Sequence, residues 1–285
     1  MNNLIFSMYF KLEDEELDKE DYEKNIFSRD QQDYYQSHLI LNKISYSKFN
    51  NCDFILFDQQ DDLENFSKQF DSDIPKYVKI NFYKFHLLDK LSEEYNNILY
   101  LDHDVYINTR ENIFTSLDTN KLYVWYEDVK NDMMEFIHVY NDRELYSRSY
   151  ISKCLSSYLA SYTFDWNISY KKYNTGIILS NSEQIKKLKI KKYLDFLLAH
   201  YKEVYYNKDI PENLRRRFIL NNEALLANII AEEKLKVVNL DDKWHTILTG
   251  DKSKEIFDAG SSNFYHFINK EFSWILSDNR SLQSL

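Results

Sequence analysis

The chain has 285 residues, 44% of them hydrophobic, enough core for one large α/β domain or two modest ones, and wholesale disorder is excluded. Its net charge of −10 disfavours nonspecific nucleic-acid binding, which depends on Lys and Arg neutralising phosphates. With only 3 Gly there is neither a Gly-x-Gly-x-x-Gly nor a Walker A sequence, so phosphates would have to be held by a metal, Lys side chains or a helix N-terminus.

In chain order, Asn3 to Phe10 predicts a first strand, followed by an acidic loop from Glu13 to Glu23. A helix is expected from about Asp30 to Phe49, with Tyr35, Leu39, Tyr46 and Phe49 on one face. Asp53 to Phe57 predicts a second strand, and Asp58 to Ser72 a polar loop or short helix. Pro75 opens a helix to Glu94 whose stripe reads Tyr77, Ile80, Tyr83 or Lys84, Leu87, Leu88 and Leu91. The stretch Asn97 to Ile107 carries the third strand, an unbroken apolar run of the kind buried on both faces that ends abruptly in two aspartates. This β-α-β-α-β order implies a parallel sheet with right-handed crossovers.

Beyond it, Asn112 to Leu117 predicts one helical turn, Leu122 to Tyr126 a strand, and Tyr150 to Tyr158 a helix within an aromatic, irregular stretch. Asn174 to Ser180 predicts a strand introduced by Gly176, and Ser180 to Glu183 a capping box for a helix reaching about Tyr201. Pro211 fits the first turn of a helix that carries Asn222 to Leu226 and ends near Glu233. Lys236 to Leu240 is a last strand before a loop-rich tail, and a single domain over residues 1–285 is expected. Leu4 to Phe10 is too short for a signal-peptide core, no stretch approaches the roughly 18 apolar residues of a membrane span, and Cys52 and Cys154 lack metal spacing. A cytoplasmic location is the expectation.

The third strand ends in Asp102-His103-Asp104. Ligands of such sheets collect beyond the carboxyl ends of the strands. In an extended segment residues i and i+2 point the same way, so both carboxylates could reach one divalent cation while His103 points away. Alone, an Asp-x-Asp is more often a polar strand end capped by a turn, and its surroundings must decide.

Five motifs in order give the chain a resemblance to GT-A fold nucleotide-sugar glycosyltransferases, most like the family 8 group of glycogenin and galactosyltransferase type. Asn42 to Phe57 resembles that fold's first helix running into its second strand. Lys84-Phe85 and Leu87-Leu88, followed by Tyr95 to Asp104, resemble the helix and strand of its Asp-x-Asp motif. Asn174-Thr175-Gly176, Asn222-Glu223-Ala224-Leu225-Leu226 and Phe264-Tyr265-His266-Phe267 resemble its Asn-Ser/Thr-Gly, acidic-amide and His-Phe motifs.

The resemblance implies a Rossmann-like, mixed, mostly parallel central sheet flanked by helices. Residues 1–104 would form the nucleotide-binding half, and 105–285 the acceptor and sugar half with a metal-ligand tail. It implies transfer, retaining ahead of inverting, from a nucleotide-diphosphate sugar such as a UDP-sugar to a hydroxyl of a carbohydrate, glycan or protein. Asp102, Asp104 and His266 would hold the cation, Mn2+ ahead of Mg2+ because imidazole nitrogen joins the oxygens. Tyr9, Lys84, Asp102, His103, Asn174, Gly176 and Lys270 are candidates for nucleotide or sugar contact. Lys270 follows His266 by four residues rather than the family's six, which puts its phosphate contact in question. Asn222 and Glu223 are the catalytic candidates. Where retaining relatives have an amide, Glu223 places a carboxylate: a nucleophile, an oxocarbenium stabiliser, a base in an inverting reaction, or simply an acid favoured at a helix N-terminus.

Asp165-Trp166, Asp241-Asp242 and Trp244-His245 are secondary candidates for acceptor or sugar contacts. Two other functions compete. A haloacid-dehalogenase-like phosphatase or phosphotransferase also uses Asp-x-Asp, but on the first core strand, whereas two βα units precede Asp102. The other is a sugar-nucleotide binder without turnover.

Overall fold

The computed structural model of the chain describes residues 2–11, 22–72, 74–129, 157, 160, 161, 163–209, 222–249, 252–268 and 270–277. Most of the acidic loop, most of the helix expected at Tyr150 to Tyr158, the start at Pro211, and Cys154 lie outside the described residues.

The first half runs β1 (Asn3–Met8), α1 (Tyr22–Phe49), β2 (Asp53–Phe57), α2 (Gln60–Ser67), α3 (Lys76–Leu91), β3 (Asn97–Leu101), β4 (Val105–Ile107), α4 (Ile113–Ser116) and β5 (Leu122–Asp128). Then come β6 (Lys171–Asn181), α5 (Ser182–Lys187), α6 (Ile190–Tyr205), α7 (Asn222–Glu232), β7 (Val237–Asn239), β8 (Thr246–Ile247), α8 (Ser253–Ala259), β9 (Phe264–His266) and α9 (Ser273–Ser277). Among the described residues six strands form a central sheet in the order β2-β1-β3-β6-β5-β7, with β6 alone reversed. This is the mixed, mostly parallel α/β architecture expected.

Alternation explains why β1 and β3 read as unbroken apolar runs. Leu4, Phe6, Ile98 and Tyr100 join the core that includes α3, α6 and α7, while Ile5, Leu99 and Leu101 face a second core with Tyr46 of α1. Each fully buried aliphatic or Phe side chain contributes about 1.5–3 kcal/mol over exposure, so these two strands anchor the sheet.

The structure corrects several expectations. The third strand stops at Leu101, just short of the aspartates: the chain leaves the central sheet there, turns through Asp102 to Asp104 with Val105 N donating to Asp102 O at 3.1 Å, and enters a second sheet as β4. That sheet has the order β4-β9-β8, so the tail taken as loop-rich supplies two strands and clips itself to the acidic turn. Gly176 lies inside β6 rather than at its start. The cap after β6 is the Asn181 side chain, which accepts from Gln184 N at 2.9 Å, and the following helix breaks at Lys189, which has a φ of 50°. Tyr77 and Phe49 are exposed, whereas Lys84 is buried.

Helix α1 starts earlier than Asp30 and carries polar residues on its buried face. Asn42 and Lys43 sit between Leu39 and Tyr46 because the edge of β4 needs partners. The Asn42 amide donates to Ile107 O and accepts from Ile107 N, both at 2.8 Å. Lys43 Nζ donates to the carbonyls of Val105 at 2.7 Å and His103 at 2.8 Å. These bonds satisfy backbone groups that would otherwise be buried unpaired.

Burial presses the Lys43 ammonium down to about 7, against the opposing charges of Asp104 and Asp102. From about pH 7 to about pH 10 the unfolded chain holds a proton that the folded one has released, so this group makes stability rise with pH over that window. Lys43→Met is expected to flatten the rise, measured by urea unfolding at pH 7, 8 and 9. An identical slope in both proteins would reject this.

Candidate metal centre

The acidic turn is held from several sides. Asp102 N donates to Gly176 O at 2.7 Å, Ser7 Oγ to Leu101 O at 2.7 Å, and Phe267 N to Asp104 O at 3.0 Å. Pairing of Val105 with His266 across β4 and β9 brings the distant tail beside the carboxylates. His266 Nε2 lies 3.3 Å from Asp104 Oδ1 and 3.8 Å from Asp102 Oδ2. One ligand atom from each of these three residues falls within 4.8 Å of the others. Two carboxylate oxygens and one imidazole nitrogen at this separation fit a divalent cation that favours octahedral oxygen-rich sites, with room for further oxygens from a ligand. The two carboxylates converge from a turn, not from alternate positions of one strand.

Gly176 makes that convergence possible. Val124 of β5 pairs with Ile178, but Trp125 pairs with Asn174, so Thr175, Gly176 and Ile177 form a bulge. A Cβ at Gly176 would lie 2.2 Å from Cε1 and 2.6 Å from Nδ1 of His266. The residue is glycine here because an imidazole occupies the space of its side chain. The same ring is bonded by a second imidazole: His245 Nε2 is 3.1 Å from His266 Nδ1. Burial foremost, then the charge of His266, keeps His245 well below the ordinary histidine value.

Two lysines neutralise the carboxylates. Lys84 Nζ is 3.2 Å from Asp102 Oδ1 and 3.1 Å from Thr175 Oγ1, and it is almost fully buried. Lys270 Nζ contacts Asp104 Oδ2, so its altered spacing still delivers it to the centre. Burial opposes ionisation of Asp104, but the charges of Lys270 and His266 and their hydrogen bonds outweigh it and hold the carboxyl well below its usual range. Tyr100, unmarked in the sequence, donates its hydroxyl to Asp102 Oδ1. Burial and then the charge of Asp102 push that phenol well above its ordinary value.

Beside the centre a cavity of about 840 Å³ is lined by residues including Trp125, Lys172, Asn174, Glu223, Asp242 and Ile247. Asn174 joins the two regions: its Oδ1 accepts from Gly176 N at 2.9 Å. Asn222, at the start of α7, donates to Thr175 Oγ1 at 3.1 Å, so it braces the bulge while Glu223 lines the cavity. Tyr9 donates to Asp33, and its ring centroid lies 4.4 Å from that of His103. His103 belongs to the turn and is buried on the Tyr9 side. Burial, then the charge of Lys43, lowers its pKa to about 3.

Of the secondary candidates, Asp242 lines the cavity. Asp165 is exposed, and Trp166 packs on Phe164, Tyr193 and Phe196. Trp244 packs on Phe264, with Asp241 Oδ1 accepting from its backbone N–H at 3.3 Å. His245 is fully buried, so contact with a bound sugar gives way to contact with His266. Motif reading gives Asn42, Lys43 and Tyr100 no role at the centre and marks His245 only for acceptor or sugar contact. For Asn42 and Lys43 a signal existed: two polar residues inside an apolar helical stripe.

No family model and no curated protein matches the chain. Among solved structures it is similar to mouse xyloside xylosyltransferase 1, with 13% identity over 94% of this chain and 98% of that one and a TM-score of 0.48. It is also similar to a glycosyltransferase involved in glycosylation of the major capsid of PBCV-1, with 11% identity over 94% and 93% of the two chains and a TM-score of 0.45. Against galactosyltransferase LgtC in complex with donor and acceptor sugar analogs the identity is 12% over 93% and 87%, with a TM-score of 0.43. These likenesses assign no residue or substrate to this chain. Among the described residues no helix is long and apolar enough to cross a membrane.

Proposed function

We propose that the chain is a GT-A, family 8-like glycosyltransferase that moves a sugar from a UDP-sugar to a hydroxyl acceptor, with Mn2+ ahead of Mg2+ as its cation. The observation that carries the reading is the meeting of Asp102, Asp104 and His266, from two separate parts of the chain, beside a cavity that Asn174 connects to them. A cation held by those three residues supplies Lewis-acid neutralisation of the charge that develops on a diphosphate leaving group. Lys84 and Lys270 flank the carboxylates and add positive charge where phosphates would lie. Tyr9 and His103 offer a ring pair for the nucleotide, and Asn174 an amide for sugar hydroxyls. Glu223 faces the same cavity and is the group best placed to act at the anomeric carbon, in a retaining transfer. A phosphatase reading gives His266 no task.

The test is a thermal-shift screen of nucleotide sugars with and without Mn2+. A ligand at 100 times its Kd stabilises by about 2.7 kcal/mol, which is several degrees for a chain of this size. A shift that needs both Mn2+ and a UDP-sugar is expected; no shift with any nucleotide sugar rejects the proposal. The anomeric configuration of the product, read by NMR, decides between retaining and inverting transfer.

A further inference from the structure

His245 and His266 share one hydrogen bond, Nε2 to Nδ1 at 3.1 Å, between rings tilted by 32°. His245 is 0% exposed, and its Nδ1 has no hydrogen-bond partner among the described residues, so this bond is the one hydrogen bond of its imidazole there. His266 is held on its other faces as well, by the bare backbone of Gly176 and by its place in β9. With a cation in place of a proton on His266 Nε2 both imidazoles are neutral, and the bond between them contains a single proton. If that proton belongs to His266, it sits on Nδ1 and leaves a lone pair on Nε2, the atom facing Asp104 and Asp102. If it belongs to His245, His266 must carry its own proton on Nε2, where it would block a cation.

We infer that His245 is a positioning residue: by accepting from Nδ1 of His266 it fixes the tautomer and the ring plane that turn Nε2 into a metal ligand. A metal-binding histidine ordinarily gives its second N–H to a carboxylate, a carbonyl or water. In this chain a buried second imidazole takes that place. The inference rests on the metal reading proposed above and extends it to a residue outside the ligand set.

Mn2+ affinity is measured by electron paramagnetic resonance on the full chain and on His245→Leu and His245→Gln. Leucine removes the acceptor, and glutamine restores one through its amide oxygen. Leucine is expected to weaken Mn2+ binding about 10–100-fold, the usual effect of losing such a partner, with glutamine regaining most of the loss. Wild-type affinity in the leucine variant overturns the inference and leaves the metal reading standing, and glutamine as weak as leucine reduces His245 to packing. No Mn2+ binding by the full chain would overturn the metal reading itself, a result distinct from either.

Discussion

Asp104→Ala is expected to abolish Mn2+-dependent binding of a UDP-sugar, weakening it at least about 100-fold, or about 2.7 kcal/mol. Asp104 is 4% exposed and meets both His266 and Lys270, so no neighbouring carboxylate or water can take its role without rearrangement. Removing it takes away one of three candidate ligands and leaves the Lys270 ammonium without its partner. Asp104→Asn separates charge from shape: it keeps the volume and one oxygen but loses the negative charge, and it should be nearly as defective. Backbone circular dichroism should stay native in both, because the turn is held by bonds from Asp102 N, Phe267 N and Lys43 that do not use the Asp104 side chain. Calorimetric titration of Mn2+ with a UDP-sugar provides the measurement. Undiminished binding in a folded Asp104→Ala protein would remove the site.

Gly176→Ala is expected to weaken metal-dependent binding by about 10–100-fold, chiefly through His266, in the range seen when the support of a ligand is lost. The added methyl would overlap the imidazole, 2.2 Å from Cε1, and also press on Asn174 Oδ1 at 3.0 Å. Neither neighbour can retreat freely, since His266 is paired in β9 and bonded to His245, and Asn174 is bonded to Gly176 N. Overpacking of this kind costs about 1–3 kcal/mol of stability. The partner of the clash can be identified by a double-mutant cycle. His266→Ala opens the space, so adding Gly176→Ala to it should cost much less than Gly176→Ala alone. Additive losses would show that the strain lies elsewhere in the bulge.

The two variants probe features that the sequence revealed to different degrees. Asp102, Asp104 and His266 were identifiable as a set by motif order, since each lies in a short recognisable stretch. Gly176 could be picked out too, but as a strand start; its real constraint is an imidazole from 90 residues later in the chain. Lys84 read as a candidate nucleotide contact, without its carboxylate partner, because a period-3.6 stripe cannot distinguish a rim position from one facing a buried carboxylate. Trp244-His245 read as a sugar-binding pair because no local pattern marks a histidine that bonds another histidine.

By itself the sequence determined the strands β1, β2 and β3, the helices between them and hence the parallel half of the sheet, because apolar periodicity is local and burial on both faces leaves no polar alternation. It also placed two aspartates at the carboxyl end of β3. Tertiary structure alone decided that the chain turns out of the sheet there, that the tail returns as β9 to bring His266 alongside, and that Lys84, Lys270 and His245 close around the centre. Those decisions depend on pairings between residues far apart in sequence, with Val105 against His266 and Asp102 against Gly176. Hydrogen bonds and ion pairs of that kind leave no period in the chain that forms them.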